Sequence, residues 1–172
     1  MQLFLKTPPA QEPLTLEEVK AYLRLPSDQE DDYLRSLIVS ARAYVENATG
    51  RALIEQKWLM QLRPPYPCNT PLIKAWGKNL EIKLPYPPLW SVESVKSQGK
   101  PADYRTEDNK VLLPPFLWDK EISITYWAGY GKTAGSLPPD LKMAVLMAVR
   151  CFYDQQPMDL ALLKPFKVYR LV

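Results

Sequence analysis

The sequence contains no histidine. That removes the commonest general base, the commonest metal ligand and every Ser-His or Cys-His nucleophile pair. Cysteine is nearly absent as well: Cys68 and Cys151 stand far apart, and neither sits in a metal-ligand spacing. Two such residues could close one bridge, but reduced thiols in a reducing compartment, with Cys151 in the core, are expected. No apolar run approaches the roughly 20 residues of a membrane span. The opening MQLFLKTPPAQEP is too short and too proline-broken for a signal peptide, so a soluble chain made in a cytosol, with no membrane partner, is expected.

What is present suits one domain. A chain of 172 residues can bury about two-thirds of its unfolded surface, and its 47% hydrophobic content is ordinary. A net charge of +3 does not suggest a large basic nucleic-acid face. The charge is uneven, though: residues 14–50 carry seven acids and four bases, and residues 131–172 carry six bases and three acids. Ordinary solvated surface and a head-to-tail assembly contact both fit that asymmetry.

Two capped helices open the chain. Thr15 with Glu18 forms a capping box, Leu16, Val19 and Leu23 recur at helical spacing, and Pro26 stops the run, which predicts a helix over about 15–25. Ser27 with Glu30 makes a second box, and Asp28, Asp31 and Asp32 add negative charge where the helix dipole favours it. The stripe Leu34, Leu37, Ile38, Ala41, Tyr44, Val45 and Ala48 carries that helix over 28–49, and Gly50 is a left-handed stop. A last helix over about 138–156 begins at Pro138-Pro139, with Leu141, Ala144, Val145, Ala148, Val149 and Phe152 on its apolar side.

Between them, about 51–130 reads as a β region. Ten of the eighteen prolines fall between Pro64 and Pro115, so no long helix fits there. Strand-like runs lie at 53–62, 80–84, 91–97, 103–106, 111–113 and 121–127, with turns at Gln98-Gly99 and Asp108-Asn109. Arg63 to Gly77 reads as an extended loop. The fold class is therefore α+β: one domain over 1–172, with a helical bundle core, a small antiparallel β insert and an extended tail at 157–172.

Possible chemistry is thin. Gly131-Lys132-Thr133 looks like the end of a phosphate loop, but Tyr126 stands where the first glycine belongs, and Gly135 with Pro138-Pro139 delays the helix. The carboxylate pairs Glu17-Glu18 and Asp31-Asp32 lie in first turns, where capping explains them, and Glu107-Asp108 lies at a turn. No catalytic residue, cofactor or metal site is expected, and the chain does not read as an enzyme. Trp58, Trp76, Trp90, Trp118 and Trp127, interleaved with Lys57, Lys74, Lys78 and Lys120, could instead form a stacking platform for single-stranded nucleic acid, although sheet core and subunit packing account for them better. Leu162, Leu163, Lys164, Pro165, Phe166, Lys167, Tyr169, Arg170 and Leu171 alternate apolar and basic side chains. Leaving the apolar ones in water is costly, so they dock on the chain itself or on a partner.

Six segments in order complete a pattern: LTLEEVKAYL from Leu14; Asp31-Asp32 running into ARAYVE from Ala41; TGRAL from Thr49 leading to Gln56-Lys57-Trp58; YWAGYG from Tyr126; LPPDLK from Leu137; and LKPFKVYR from Leu163. This set resembles the head–tail connector, or head-completion adaptor, proteins of long-tailed double-stranded DNA bacteriophages, related prophages and gene-transfer particles. The chain departs from the family's frequent arginine after the last long helix, having Asp154-Gln155-Gln156 there. The resemblance implies a virion structural protein made in the host cytoplasm. It implies a homo-oligomeric ring, typically twelvefold, beneath the portal, extending the DNA channel and presenting a platform for the next head-completion, stopper or tail protein. Double-stranded DNA would pass without sequence-specific binding. The tail residues Leu163, Lys164, Pro165, Phe166, Lys167, Tyr169, Arg170 and Leu171 would dock on the portal or a neighbouring subunit. The alternative is a DNA-packaging accessory that binds nucleic acid through the Trp/Lys-rich β region.

Overall fold

A computed structural model describes residues 1–26, 30–66, 72–76 and 79–168. Helix α1 spans Leu16–Leu23 and begins with the expected reciprocal box: Thr15 Oγ1 accepts from the Glu18 amide at 3.2 Å, and Glu18 Oε2 accepts from the Thr15 amide at 2.9 Å. It stops before Pro26, because Arg24 takes the left-handed conformation (φ 60°) and its amide turns back to the last carbonyls. Helix α2 runs Asp31–Thr49 and ends on left-handed Gly50 (φ 71°). Its expected capping box includes Ser27, which lies outside the described residues. Glu30 is the N-cap and makes no side-chain cap bond; its carboxylate accepts from the Tyr153 hydroxyl at 2.8 Å instead. Helix α3 is Pro139–Tyr153, shorter than the 138–156 expected, with the chain turning at Asp154 and at left-handed Gln155 (φ 53°).

The β region is larger than a small insert with one sheet. Strands β1 (Gln2–Thr7), β2 (Gln56–Leu62), β9 (Ile122–Ala128), β5 (Leu89–Ser97) and β6 (Lys100–Pro101) form a five-stranded sheet in that order. Strands β3 (Ile73–Trp76), β4 (Asn79–Lys83), β8 (Lys110–Leu113) and β7 (Arg105–Glu107) form a second, four-stranded sheet. Every pairing between these strands is antiparallel. Three strands were not expected. β1 lies in the opening segment and is held by pairing with β2, β3 falls where prolines suggested a loop, and the two-residue β6 pairs back on the end of β5 just past the Gln98-Gly99 turn.

The β region has its own core, so the molecule is β-rich rather than a helical bundle with an appendage. Met60, Leu62, Ile122, Ile124 and Tyr126 from the first sheet pack with Leu80, Ile82, Val111 and Leu113 from the second. The alternation read at Ile122, Ile124 and Tyr126 holds: these are buried, and Ser123, Thr125 and Trp127 are half-buried on the opposite face. A separate core joins α1, α2 and α3 through Leu16, Val19, Leu34, Ile38, Ala41, Val45, Leu141, Val145 and Val149. Each fully buried Leu, Ile or Val there contributes roughly 1.5–3 kcal/mol of transfer free energy.

The two cores are joined at the end of α2. Glu46 is 6% exposed and accepts from the Leu53 amide, Gln56 Nε2 and Arg42 Nη1, each at 2.9 Å. Arg42 is shared with Glu12 (2.7 Å), which ties down the segment ahead of α1. Burial pushes the Glu46 carboxyl above its usual range, against the pull of the Leu53 amide, Arg42 and Gln56. Burial also opposes the Arg42 charge, but Glu12 and Glu46 together outweigh it and raise the guanidinium. The two directions are compatible, because Arg42 has two carboxylates while Glu46 has only a share of Arg42.

Candidate docking surface

The tail carries the residues that the family resemblance singled out for docking, and its described part folds back on the chain. Residues Leu160–Phe166 form a 3-10 segment, opened by Asp159, whose Oδ1 accepts from the Ala161 amide at 2.8 Å. A turn of this kind puts every third side chain on one side. On that side Leu163 enters the helical core with no exposed surface and Phe166 packs half-buried against it, while Leu160, at the open first turn, and Leu162, on the other side, are each 46% exposed. Lys164 and Pro165 are exposed, and Phe166, Lys167 and Val168 are half-buried.

Two polar contacts hold the segment to the end of α2. Arg51 Nε donates to the Phe166 carbonyl at 2.7 Å, and Arg51 Nη1 reaches the Tyr130 hydroxyl at 3.2 Å. The Val168 amide donates to the Thr49 carbonyl at 2.8 Å, satisfying one of the acceptors that a helix C-terminus leaves open. Val168 also lies against Gly50. Of the residues expected to dock, Leu163 is therefore committed to the chain's own core. Lys164 and Pro165 face outward beside Leu160 and Leu162, and Phe166 and Lys167 lie between. Tyr169, Arg170 and Leu171 lie outside the described residues. Arg51 was missed as part of this arrangement; only its place in the TGRAL segment hinted at a role.

The other candidates separate in space. Trp58 stacks on Tyr86 with centroids 4.6 Å apart and planes 2° apart, and Trp118 meets Tyr66 edge-on at 5.5 Å. Trp127 lies on the outward face of the five-stranded sheet, where the Lys57 ammonium sits 5.2 Å from its ring centre. Trp90 is 58% exposed at a bulge in β5. Lys57 is paired with Glu93 at 2.5 Å, and Lys120 sits over Phe116 rather than over a tryptophan. These four tryptophans do not make one platform; the Trp76 side chain and Lys78 lie outside what is described, and Lys74 is exposed on β3.

At Gly131-Lys132-Thr133 the chain enters a 3-10 turn, Ala134–Ser136, and α3 starts only at Pro139. No helix N-terminus follows Lys132 directly, as a phosphate cradle would need. The first-turn carboxylates have structural partners: Glu18 pairs with Lys142 at 2.5 Å, and Asp31 pairs with Lys20. Cys151 is a free, half-buried thiol, and Cys68 lies outside the described residues. Among the described residues no group of three or more His, Cys, Asp or Glu could hold a metal ion, and no helix is long and apolar enough to cross a membrane.

The sequence profile of the head completion protein family matches residues 12–160. The chain belongs to that family. The match takes in α1 through the start of the tail, so the family pattern spans both cores. No curated protein gives a significant match. Solved structures do. A chain in the neck of an empty gene transfer agent (GTA) particle, computed with C6 symmetry, superposes with TM-score 0.75 at 21% identity, covering 100% of this chain and 98% of that one. A chain in the virion of the native GTA particle gives 0.74 at 22% identity, with the same coverage. One in the neck of the native GTA particle, computed with C12 symmetry, gives 0.68 at 20% identity, again over 100% and 98%. At these identities the likeness is one of fold, and it extends over the whole chain.

Proposed function

We propose that this head completion family member is a structural, non-enzymatic subunit of a virion neck, made in the host cytoplasm and assembled as a ring beneath the portal. There it extends the DNA channel and offers a platform for the next head-completion or tail protein. The observation that carries this reading is the family match over 12–160 together with a fold shared end to end with GTA neck chains. The physical character of the chain supports it. A channel wall must let duplex DNA slide, and a surface dense in Lys and Arg would hold it by counterion release. A net charge of +3 keeps that grip weak.

In this reading the Lys164–Leu171 segment engages the portal or an adjacent subunit. Lys164 and Pro165, with Leu160 and Leu162, present an apolar and basic ridge outward, and Leu163 anchors that ridge from below. Deletion of Lys164 to Val172 tests the reading: portal attachment, followed by co-purification and negative-stain imaging, should be lost while far-UV circular dichroism stays unchanged. Attachment at the wild-type level would reject the assigned role of the tail.

A further inference from the structure

The outward face of the five-stranded sheet belongs to neither core. The strand register places Phe4, Leu59, Thr125 and Ser94 in one row across β1, β2, β9 and β5, and Lys57, Trp127 and Ser91 in the next. Phe4, Leu59 and Trp127 are absent from both the helical and the inter-sheet cluster, and Phe4 is 43% exposed. The charge on this face largely cancels: Lys57 is engaged by Glu93 and by the Trp127 ring. Lys96 stands exposed at the margin. Large apolar side chains, hydroxyls and self-cancelled charge are the composition of a protein contact; a nucleic-acid groove would carry uncompensated lysines and arginines.

We propose that this face is one half of the contact between neighbouring copies of the chain, an inference that rests on the ring reading above. A closed ring of identical subunits needs a heterologous interface, in which two different patches of the same chain meet. The second patch is a groove of about 510 Å³ between residues 11–17 and α2, floored by Leu14, Leu16, Ile38 and Val39. Val39 is 44% exposed there, and the exposed Glu17 lies on the groove wall. Arg35, also exposed, lines the same groove and offsets Glu17, so this patch, like the sheet face, is apolar with charge that largely cancels. The sheet face of one subunit thus covers the helix groove of the next, and the direction is the same at every step round the ring.

The test uses Leu59→Asp, Thr125→Arg and Val39→Asp in the full chain, each checked for folding by circular dichroism and thermal melting. Thr125→Arg changes only a half-exposed hydroxyl and covers the case in which Leu59→Asp fails to fold. Assembly is read by light scattering and negative-stain imaging, for the chain alone and co-expressed with the portal of its particle. Wild type is expected to form rings, and each folded variant to lose at least about tenfold in assembled fraction. An equimolar mixture of Leu59→Asp and Val39→Asp should then give a one-to-one pair and no ring, because each variant keeps one intact patch. Rings from folded Leu59→Asp or Thr125→Arg would overturn the sheet face and leave the ring reading standing. Rings from Val39→Asp, or no pair in the mixture, would overturn the groove as its complement. A wild-type chain that stays monomeric under both conditions would overturn the ring reading and this inference with it.

Discussion

Glu46 Oε1 accepts the Leu53 amide hydrogen at 2.9 Å, and through that bond the end of a helix fixes the start of a sheet. The same oxygen takes Gln56 Nε2, the first side chain of β2, so one carboxylate sets both the turn and the strand entry. Truncation to Glu46→Ala leaves a buried amide, a buried carboxamide and Arg42 short of an acceptor. It should cost about 3–5 kcal/mol, the range for breaking a buried pair. Glu46→Gln keeps an acceptor oxygen for Leu53 and should cost less, about 1–3 kcal/mol. Urea denaturation with an unchanged m-value measures both, and equal costs would reject the bridging role.

Glu18 and Glu46 should tilt stability in opposite directions with pH. The Lys142 ammonium, followed by the Thr15 amide, holds the Glu18 carboxyl below its usual range. Its contribution is therefore full above the ordinary Glu pKa of about 4.3 and is lost as pH falls through the lowered value. Burial raises the Glu46 carboxyl, so its contribution is present below the ordinary value and is lost as pH rises through the raised one. The Tm deficit of Glu18→Gln against wild type should shrink from pH 7 towards pH 3. That of Glu46→Gln should be largest at the acid end and shrink as pH rises. Parallel pH profiles for the two variants would contradict both assignments.

The helices were legible because their information is local. Thr15 and Glu18 are three residues apart, the α2 stripe repeats every three or four, and Gly50 ends it in place. Family membership was also legible, from six short segments in order. The number of sheets was not, because pairing joins residues far apart: β2 pairs with β1 on one edge and β9 on the other. β1 escaped notice because its burial is irregular, with Leu3 half-buried and its neighbours exposed, so no clean alternation marks it. β3 was hidden by the prolines before it. Within the docking surface, the apolar tail was visible, but Arg51 was not, since its partner Phe166 lies 115 residues on. Nor does any local pattern reveal that Glu46, a charged residue on a helix, is buried.

Gly129 marks the closest approach between the sheet and the segment entering it. Its φ is +135°, and a Cβ there would come within 2.5 Å of the Ile54 carbonyl and 2.6 Å of the Glu55 nitrogen. Backbone cannot yield as a flexible side chain can, so Gly129→Ala combines left-handed strain with a clash and should cost about 3 kcal/mol or more. Gly99 offers the control: φ is +80° but nothing lies within 4 Å, so Gly99→Ala should cost about 1–2 kcal/mol from conformation alone. Thermal melts of the two variants decide the matter, and equal losses would show that crowding at Gly129 is relieved cheaply.

The tail should separate into an anchor and a latch. Leu163 has no exposed surface, so Leu163→Ala should lower global stability by about 2–5 kcal/mol, whereas Leu162→Ala, at a side chain 46% exposed, should change it by about 0.5 kcal/mol or less. Arg51 works differently, because among the described residues its guanidinium holds the Phe166 carbonyl and the Tyr130 hydroxyl. A hydrogen bond from a charged donor is worth about 1.5–3 kcal/mol, so Arg51→Ala should speed exchange of the Val168 amide by roughly 10- to 100-fold. Amides inside α2 and α3 should exchange no faster than that local opening requires. The Val168 amide reports on this directly, since its acceptor, the Thr49 carbonyl, is itself buried against the returning segment. If Arg51→Ala left Val168 exchange unchanged, Leu163 alone would be holding the tail, and the segment beyond it would be poised by packing rather than by the guanidinium.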